Sequence, residues 1–346
     1  MKVMKESFGQ IGDQPVYLFT IINECGVKVK SINYGCIITE IIVPDRDGQF
    51  ENVVLGHDSL DDYLNDTNFL GAVVGRVGGR IKGGSFELDG KMYTLAQNDS
   101  VNHLHGGIKG FDKVVWEAEV IEDGICFKYE SKDGEEGYPG NLLLEVTYTL
   151  NNENELSIHY RAHSDQKTLL TVTNHSYFNL SGNVKRDVLK HTLTLKSDRF
   201  LELDDEFIPT GYLAKVDHTP FDFREERMIE TGVHSEHPQN VLVGNGYDHP
   251  FILSTNHENE MVLKDAESGR ILIVETDEPA VVVYSGNSLQ SEKGFQGVPA
   301  SKYLGICLET QGLPDAIHHA DFPSIILDKG QLYSSVTKYK FGWEEM

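Results

Sequence analysis

Apolar and polar residues alternate with a period of two along much of the chain. From Leu142 to Leu150, the side chains of Leu142, Leu144, Val146, Tyr148 and Leu150 fall on one side of an extended backbone. From residue 156 to 163, Leu156, Ile158, Tyr160 and Ala162 do the same, opposite Ser157, His159, Arg161 and His163. Period two is the repeat of a half-buried strand, and NNENE between the two runs predicts a hairpin loop. Two further hairpins are predicted at FELDGKMYTL (86–95) and AEVIEDGICFKYE (118–130), each turning on an Asp-Gly pair, with another at KDAESGRILIVET (264–276). Helical patterns are few: SLDDYLND, opening on the N-cap residue Ser59, and FREERMIETGV from Phe223. Without crossover helices a parallel α/β sheet is excluded. The expected architecture is all-β: a large antiparallel β-sandwich formed by one domain over residues 1–346.

Composition sharpens this picture in two places. The 346 residues carry 30 basic against 54 acidic side chains, a formal charge of −24, which argues against nucleic acid or an anionic membrane as partner. Four cysteines (Cys25, Cys36, Cys126, Cys307) stand far apart with no C-x-x-C pair, so neither a disulfide framework nor a thiolate zinc site is expected. With no signal-peptide pattern at the N-terminus and no run long enough to span a membrane, the expected location is cytoplasmic.

Several stretches break the apolar pattern in ways that chemistry would explain. TVTNHSYFNL (171–180) reads as one strand with Asn174 and His175 in its middle. On that reading Thr171, Thr173, His175 and Tyr177 share one face, the polar-and-aromatic mixture of a small-molecule site wall, while Asn174 points the other way as a structural hydrogen-bonding group. In GICLETQGLPDA (305–316), Cys307, Glu309 and Gln311 share a face, and a carboxylate in so apolar a run is costly unless it is hydrogen-bonded or used. NHLHGG places His103 and His105 two apart, facing the same way if extended. No third ligand lies at motif spacing, so no metal centre is expected. GRVGGRIKGG carries Arg76 and Arg80 in a glycine-rich run without the Lys-Ser/Thr of a phosphate loop, and GYDHPF sets Asp248 beside aromatics. A serine-hydrolase elbow and a dinucleotide fingerprint are both missing.

Six of these stretches occur in one order: GRVGGRI, NHLHGG followed by GFDK, DGEEGYPG, TNHSYFNL, GYDHPF and LETQGLPDA. In that order, spread from residue 75 to 316, they resemble the aldose 1-epimerase (galactose mutarotase) family. The resemblance implies a large antiparallel β-sandwich that interconverts the α and β anomers of free aldoses without a cofactor or metal. Carried over motif by motif, it implies Glu309 as general base and His175 as general acid. It also implies Arg80, His105 and Asp248 as sugar-binding residues, with Tyr177 and Arg76 beside them. Two positions depart from the family pattern: Gly79, where members often have Asn, and Val282, where some have Gln. Both bear on sugar preference. A base and an acid working together require Glu⁻ and His⁺, so the His175 value is expected to be raised by nearby carboxylates. The expected partner is a monosaccharide, with the chain a monomer or weak homodimer. The alternatives are a hexose-6-phosphate epimerase, a glycoside hydrolase using two carboxylates, and a non-catalytic sugar-binding protein.

Overall fold

The computed structural model describes residues 1–344, and strands dominate it. A nine-stranded antiparallel sheet runs in the order Glu117–Ile121, Gly124–Ser131, Leu142–Leu150, Glu155–Ser164, Tyr333–Trp343, Arg270–Thr276, Met261–Lys264, Thr192–Leu195 and Arg227–Met228. A six-stranded sheet runs Tyr177–Phe178, Ile306–Gln311, Ala280–Tyr284, Asp248–Ile252, Arg199–Leu203 and Pro209–Lys215, and a five-stranded sheet gathers Lys2–Ile11 through Phe50–Asn52. All three contribute to one apolar core: Phe127, Leu144 and Ile158 from the first, Phe251, Val283 and Leu308 from the second, Phe19, Val29 and Ile41 from the third. The chain is thus a large β-sandwich. The alternation that predicts its strands is the alternation of its burial, perfect from Leu142 to Leu150.

The predicted hairpins form. Leu142–Leu150 pairs with Glu155–Ser164, and Met261–Lys264 with Arg270–Thr276. Asp89 and Gly90 both take positive φ (51° and 76°), the type I′ geometry that matches strand twist. In the other hairpin the turn is Glu122-Asp123, and Gly124 already pairs with Ile121. Helices are short. Ser59 caps Leu60–Leu64 by accepting from the Asp62 N–H, and only the end of the second predicted stretch is helical, at Glu230–Val233. A further short helix, Pro238–Leu242, escapes the sequence pattern.

The six-stranded sheet places the chemistry. Ile306 and Leu308 point into the core, so Cys307, Glu309 and Gln311 share the opposite face. Register carries that face across the sheet. Asp248 pairs with Tyr284, Tyr284 with Cys307 and Cys307 with Tyr177; in the next row Pro250 pairs with Val282 and Val282 with Glu309. Two adjacent rows thus bring Asp248, Tyr284, Glu309 and Tyr177 together from four strands.

Candidate active site

TVTNHSYFNL is not one strand. Thr173–Asn174 pairs with Val73–Val74, and Tyr177–Phe178 pairs with Ile306–Cys307, so His175 sits where the chain passes from one partner to the next. Its backbone stays fully bonded, N–H to the Ala72 carbonyl and carbonyl to the Gly71 N–H. Asn174 is structural, as its neighbour position predicts: its amide donates to the Gly71 carbonyl at 2.9 Å and its oxygen accepts from the Ser176 N–H. Phe178 turns into the core against Tyr339.

His175 and Glu309 meet in a cavity of about 240 Å³ that Arg80, His105, Tyr177, Asp248 and Gln311 also line. The His175 Nε2 lies 3.4 Å from Glu309 Oε1, and both side chains are almost wholly buried. The imidazole is boxed by Phe69, His105 and Tyr177, at ring-centroid distances of 5.8, 5.3 and 5.1 Å. Leu203, Phe207, Pro209, Val243 and Val282 also line the cavity and add apolar surface suited to the C–H faces of a pyranose.

Burial sets the protonation of the pair, and in the opposite sense to the sequence expectation. It lowers His175 from its ordinary value to about 4, with its own backbone carbonyl and the Asp66 charge only partly opposing. Burial, reinforced by Asp248, pushes the Glu309 carboxyl well above the carboxylate range against the pull of Arg80. Asp248 is raised for the same reason, with Arg80 again opposing. Burial thus favours neutral imidazole with neutral carboxylic acid over the separated charges. That state and the His⁺/Glu⁻ state hold the same number of protons. They differ by transfer of one proton across the 3.4 Å contact.

His105 plays a different part. Its φ is +49°, and it is tied twice to Gly79: its N–H donates to the Gly79 carbonyl, and the Gly79 N–H donates to its Nδ1 at 3.1 Å. A backbone N–H can only donate, so Nδ1 is an acceptor and Nε2 carries the proton. His105 is held as a neutral donor, and burial holds its basicity well below the ordinary value. His105, His175 and Glu309 offer ligand atoms within 4.8 Å of one another. The commitment of Nδ1 nevertheless makes the His105 Nε2 a proton donor, the wrong form for a metal ligand.

Three sequence-level readings need correction. His103 does not face the same way as His105: it is buried against the Ala96 carbonyl and the Tyr138 hydroxyl, because the extended pair ends at Leu104. The His175 value is lowered, not raised. Arg76 does not line the cavity. It is buried and donates to the carbonyls of Ser131, Lys132, Pro139 and Gly140, as well as to the Ser131 and Thr168 hydroxyls. Arg76→Ala should strand those acceptors and lower unfolding stability by about 3 kcal/mol, leaving the KM for sugar unchanged once folded; denaturant titration beside steady-state kinetics checks it. Arg80, by contrast, does line the cavity, with its Nε on Asp99 Oδ2 at 2.7 Å and its guanidinium over the Phe207 ring.

Phe69 and Phe207 are wall residues that the pattern of the sequence does not mark. Both take positive φ (57° and 60°), unusual for aromatic residues and visible only in the folded backbone. Asp66 organises the first, accepting from the Asn68 and Leu70 N–H groups on either side of Phe69. Tyr284 was legible in principle, since alternation in AVVVYSGN puts it on the same face as Val282.

Comparisons with known proteins identify the family. The sequence profile described as aldose 1-epimerase matches residues 17–340. The chain is 44% identical to galactose mutarotase of Bos taurus over 95% of this chain and 96% of the relative, and 42% identical to that of Homo sapiens over 98% of each. It is 36% identical to aldose 1-epimerase of Escherichia coli (strain K12) over 95% of this chain and 96% of the relative. Among solved structures, the galactose 1-epimerase of Lactobacillus acidophilus NCFM superposes with a TM-score of 0.88 at 31% identity over the full length of both chains. An aldose epimerase homologue from C. elegans superposes equally well, TM-score 0.88 at 29% identity, over 94% of this chain and 98% of its own. Matched from end to end in sequence and in fold, this chain belongs to the aldose 1-epimerase family.

Proposed function

We propose that this chain interconverts the α and β anomers of free aldohexoses such as galactose and glucose, with Glu309 as base and His175 as acid. The observation that carries the reading is the 3.4 Å contact between His175 Nε2 and Glu309 Oε1 inside a sugar-sized cavity. In the working form, Glu309 takes the proton of the anomeric hydroxyl while His175 gives one to the ring oxygen. The C1–O5 bond opens to the aldehyde. Rotation about C1–C2 presents the other face of the carbonyl, and reversed proton transfers close the ring. The uptake by Glu309 and the release by His175 together leave the pair's proton count unchanged, so closure is the same two transfers reversed. His105, a fixed neutral donor, and Arg80 with Asp248 are suited to hold the hydroxyls in place.

A 6-phosphate substrate fits less well. Among the described lining residues Arg80 is the one cation, and Asp99 already pairs with it. The hydrolase reading fits less well, since Glu309 faces His175 Nε2 at 3.4 Å as its acid–base partner rather than a second carboxylate. The chain has no described helix long and apolar enough to cross a membrane, and its four cysteines are free, which supports placing it in the reducing cytoplasm. We read the β-sandwich as one domain, monomeric or weakly dimeric. Polarimetry of freshly dissolved α-D-galactose and α-D-glucose, with glucose 6-phosphate alongside, tests the function. Catalysed approach to the equilibrium rotation is expected for the free sugars. Acceleration of the phosphate alone, or binding without acceleration, would overturn it.

A further inference from the structure

Glu309 faces one nitrogen of the His175 ring, and a second side chain from the same strand faces the other. Cys307, two residues earlier on Ile306–Gln311, places its Sγ 3.5 Å from His175 Nδ1. Period two puts thiol and carboxyl on one face of that strand, so it grips the imidazole from both sides. Cys307 is fully buried, and its backbone pairs in register with Tyr177 and Tyr284.

Resting on the reading of His175 as the acid, we infer that Cys307 is a positioning residue whose sulfur accepts the Nδ1–H of His175 and so reserves Nε2 for proton exchange. Nε2 faces Glu309 and Nδ1 faces the sulfur, so a ring proton held on Nδ1 leaves Nε2 bare to exchange a proton with the carboxyl. When the proton moves to Nε2 the imidazolium carries both, and after delivery to the ring oxygen Nε2 is bare again. Nδ1–H therefore persists through every step and needs an acceptor throughout. No bond to sulfur is made or broken, and no proton leaves Nδ1. Sulfur also suits the task because it is a weak acceptor. The ring's own backbone carbonyl already raises its basicity somewhat, and a carboxylate in place of the sulfur would stabilise the imidazolium further and weaken it as an acid. With sulfur there, the imidazolium stays acidic enough to protonate a weakly basic ether oxygen. The other titratable groups facing the ring are Glu309, His105, Tyr177 and Tyr284, with the Asp66 charge acting at longer range.

Nitrogen-detected correlation spectra of the ¹⁵N-histidine-labelled full chain at neutral pH read the tautomer directly. A protonated Nδ1 and bare Nε2 at His175 is expected, with the reverse pattern at His105. A resting His175 protonated at Nε2 would overturn the inference even if His175→Asn were inactive. If His175→Asn kept its activity, the reading of the acid would fail separately. Cys307→Ala should lower kcat roughly tenfold, with little change in the KM for galactose, and should move the acidic limb of the pH profile. Cys307→Ser, which retains an acceptor, should recover most of the rate and shift that limb upward, because oxygen accepts more strongly than sulfur. An unchanged kcat and profile in Cys307→Ala, or a Cys307→Ser as slow as the alanine variant, would contradict the assignment.

Discussion

Glu309→Gln should reduce mutarotation by roughly 10³-fold in kcat while galactose still binds. The reason lies in the resting state. Burial and Asp248 favour the neutral form of the Glu309 carboxyl, so an amide of the same shape is a close replacement in charge and packing. The fold and the apolar contacts to the sugar are left as they were. Only the ability to take the anomeric proton is lost, because an amide cannot become a carboxylate. Equilibrium binding by titration calorimetry, set beside polarimetric rates, separates the two effects. A variant keeping more than about a tenth of the wild-type rate would be incompatible with a base that contributes as acid–base groups ordinarily do. Asp248, the other carboxyl lining the cavity, would then take its place.

His175→Asn should cost nearly as much, roughly 10²–10³-fold in kcat. It should also carry a stability penalty that Glu309→Gln lacks. The ring packs against Phe69, His105 and Tyr177, and its shorter replacement leaves part of that box empty. A loss of about 1–2 kcal/mol is expected from the contacts removed. The pairing of defects is informative. Glu309→Gln should be catalytically poor and stable, His175→Asn catalytically poor and softened. The double variant should be little worse in rate than either single one, because acid and base act as a unit. Thermal melts of the three proteins beside their rates read this pattern.

Parts of this arrangement are legible in the chain and parts are not, for identifiable reasons. Where a strand is regular, period two suffices: it places Cys307, Glu309 and Gln311 on one face, and that is the face lining the cavity and gripping His175. Where the chain changes partners it fails. TVTNHSYFNL has strand-forming residues throughout, yet His175 stands at a junction between two pairings that depend on residues about a hundred positions away. His103 and His105 diverge because a left-handed turn begins at His105, and a strand pattern cannot announce that. Gly106 marks the same turn: a side chain there would collide with the Gly75 carbonyl, so glycine permits the close approach that brings His105 to the cavity. Arg76 and Arg80 sit four apart in one glycine-rich run, and local sequence does not say which is buried under the Pro139–Gly140 turn and which reaches the sugar cavity. The sign of the His175 shift is the least local property of all. It depends on how completely the sheet and its loops exclude water, and that exclusion outweighs the nearby negative charge.

The central claim is that one proton, shared by His175 and Glu309, drives ring opening. The pH dependence of kcat/KM for α-D-galactose between pH 3.5 and 10, corrected at each pH for uncatalysed mutarotation, tests it most directly. The working form is the pair with one proton. It gains a second as pH falls through the His175 value of about 4, and it loses its only one as pH rises through the elevated Glu309 value. The profile should be a bell with its acidic limb near 4 and its alkaline limb well above the ordinary carboxylate range. A single limb centred on the ordinary histidine value of about 6.5, or a rate independent of pH across the range, would contradict the shared proton.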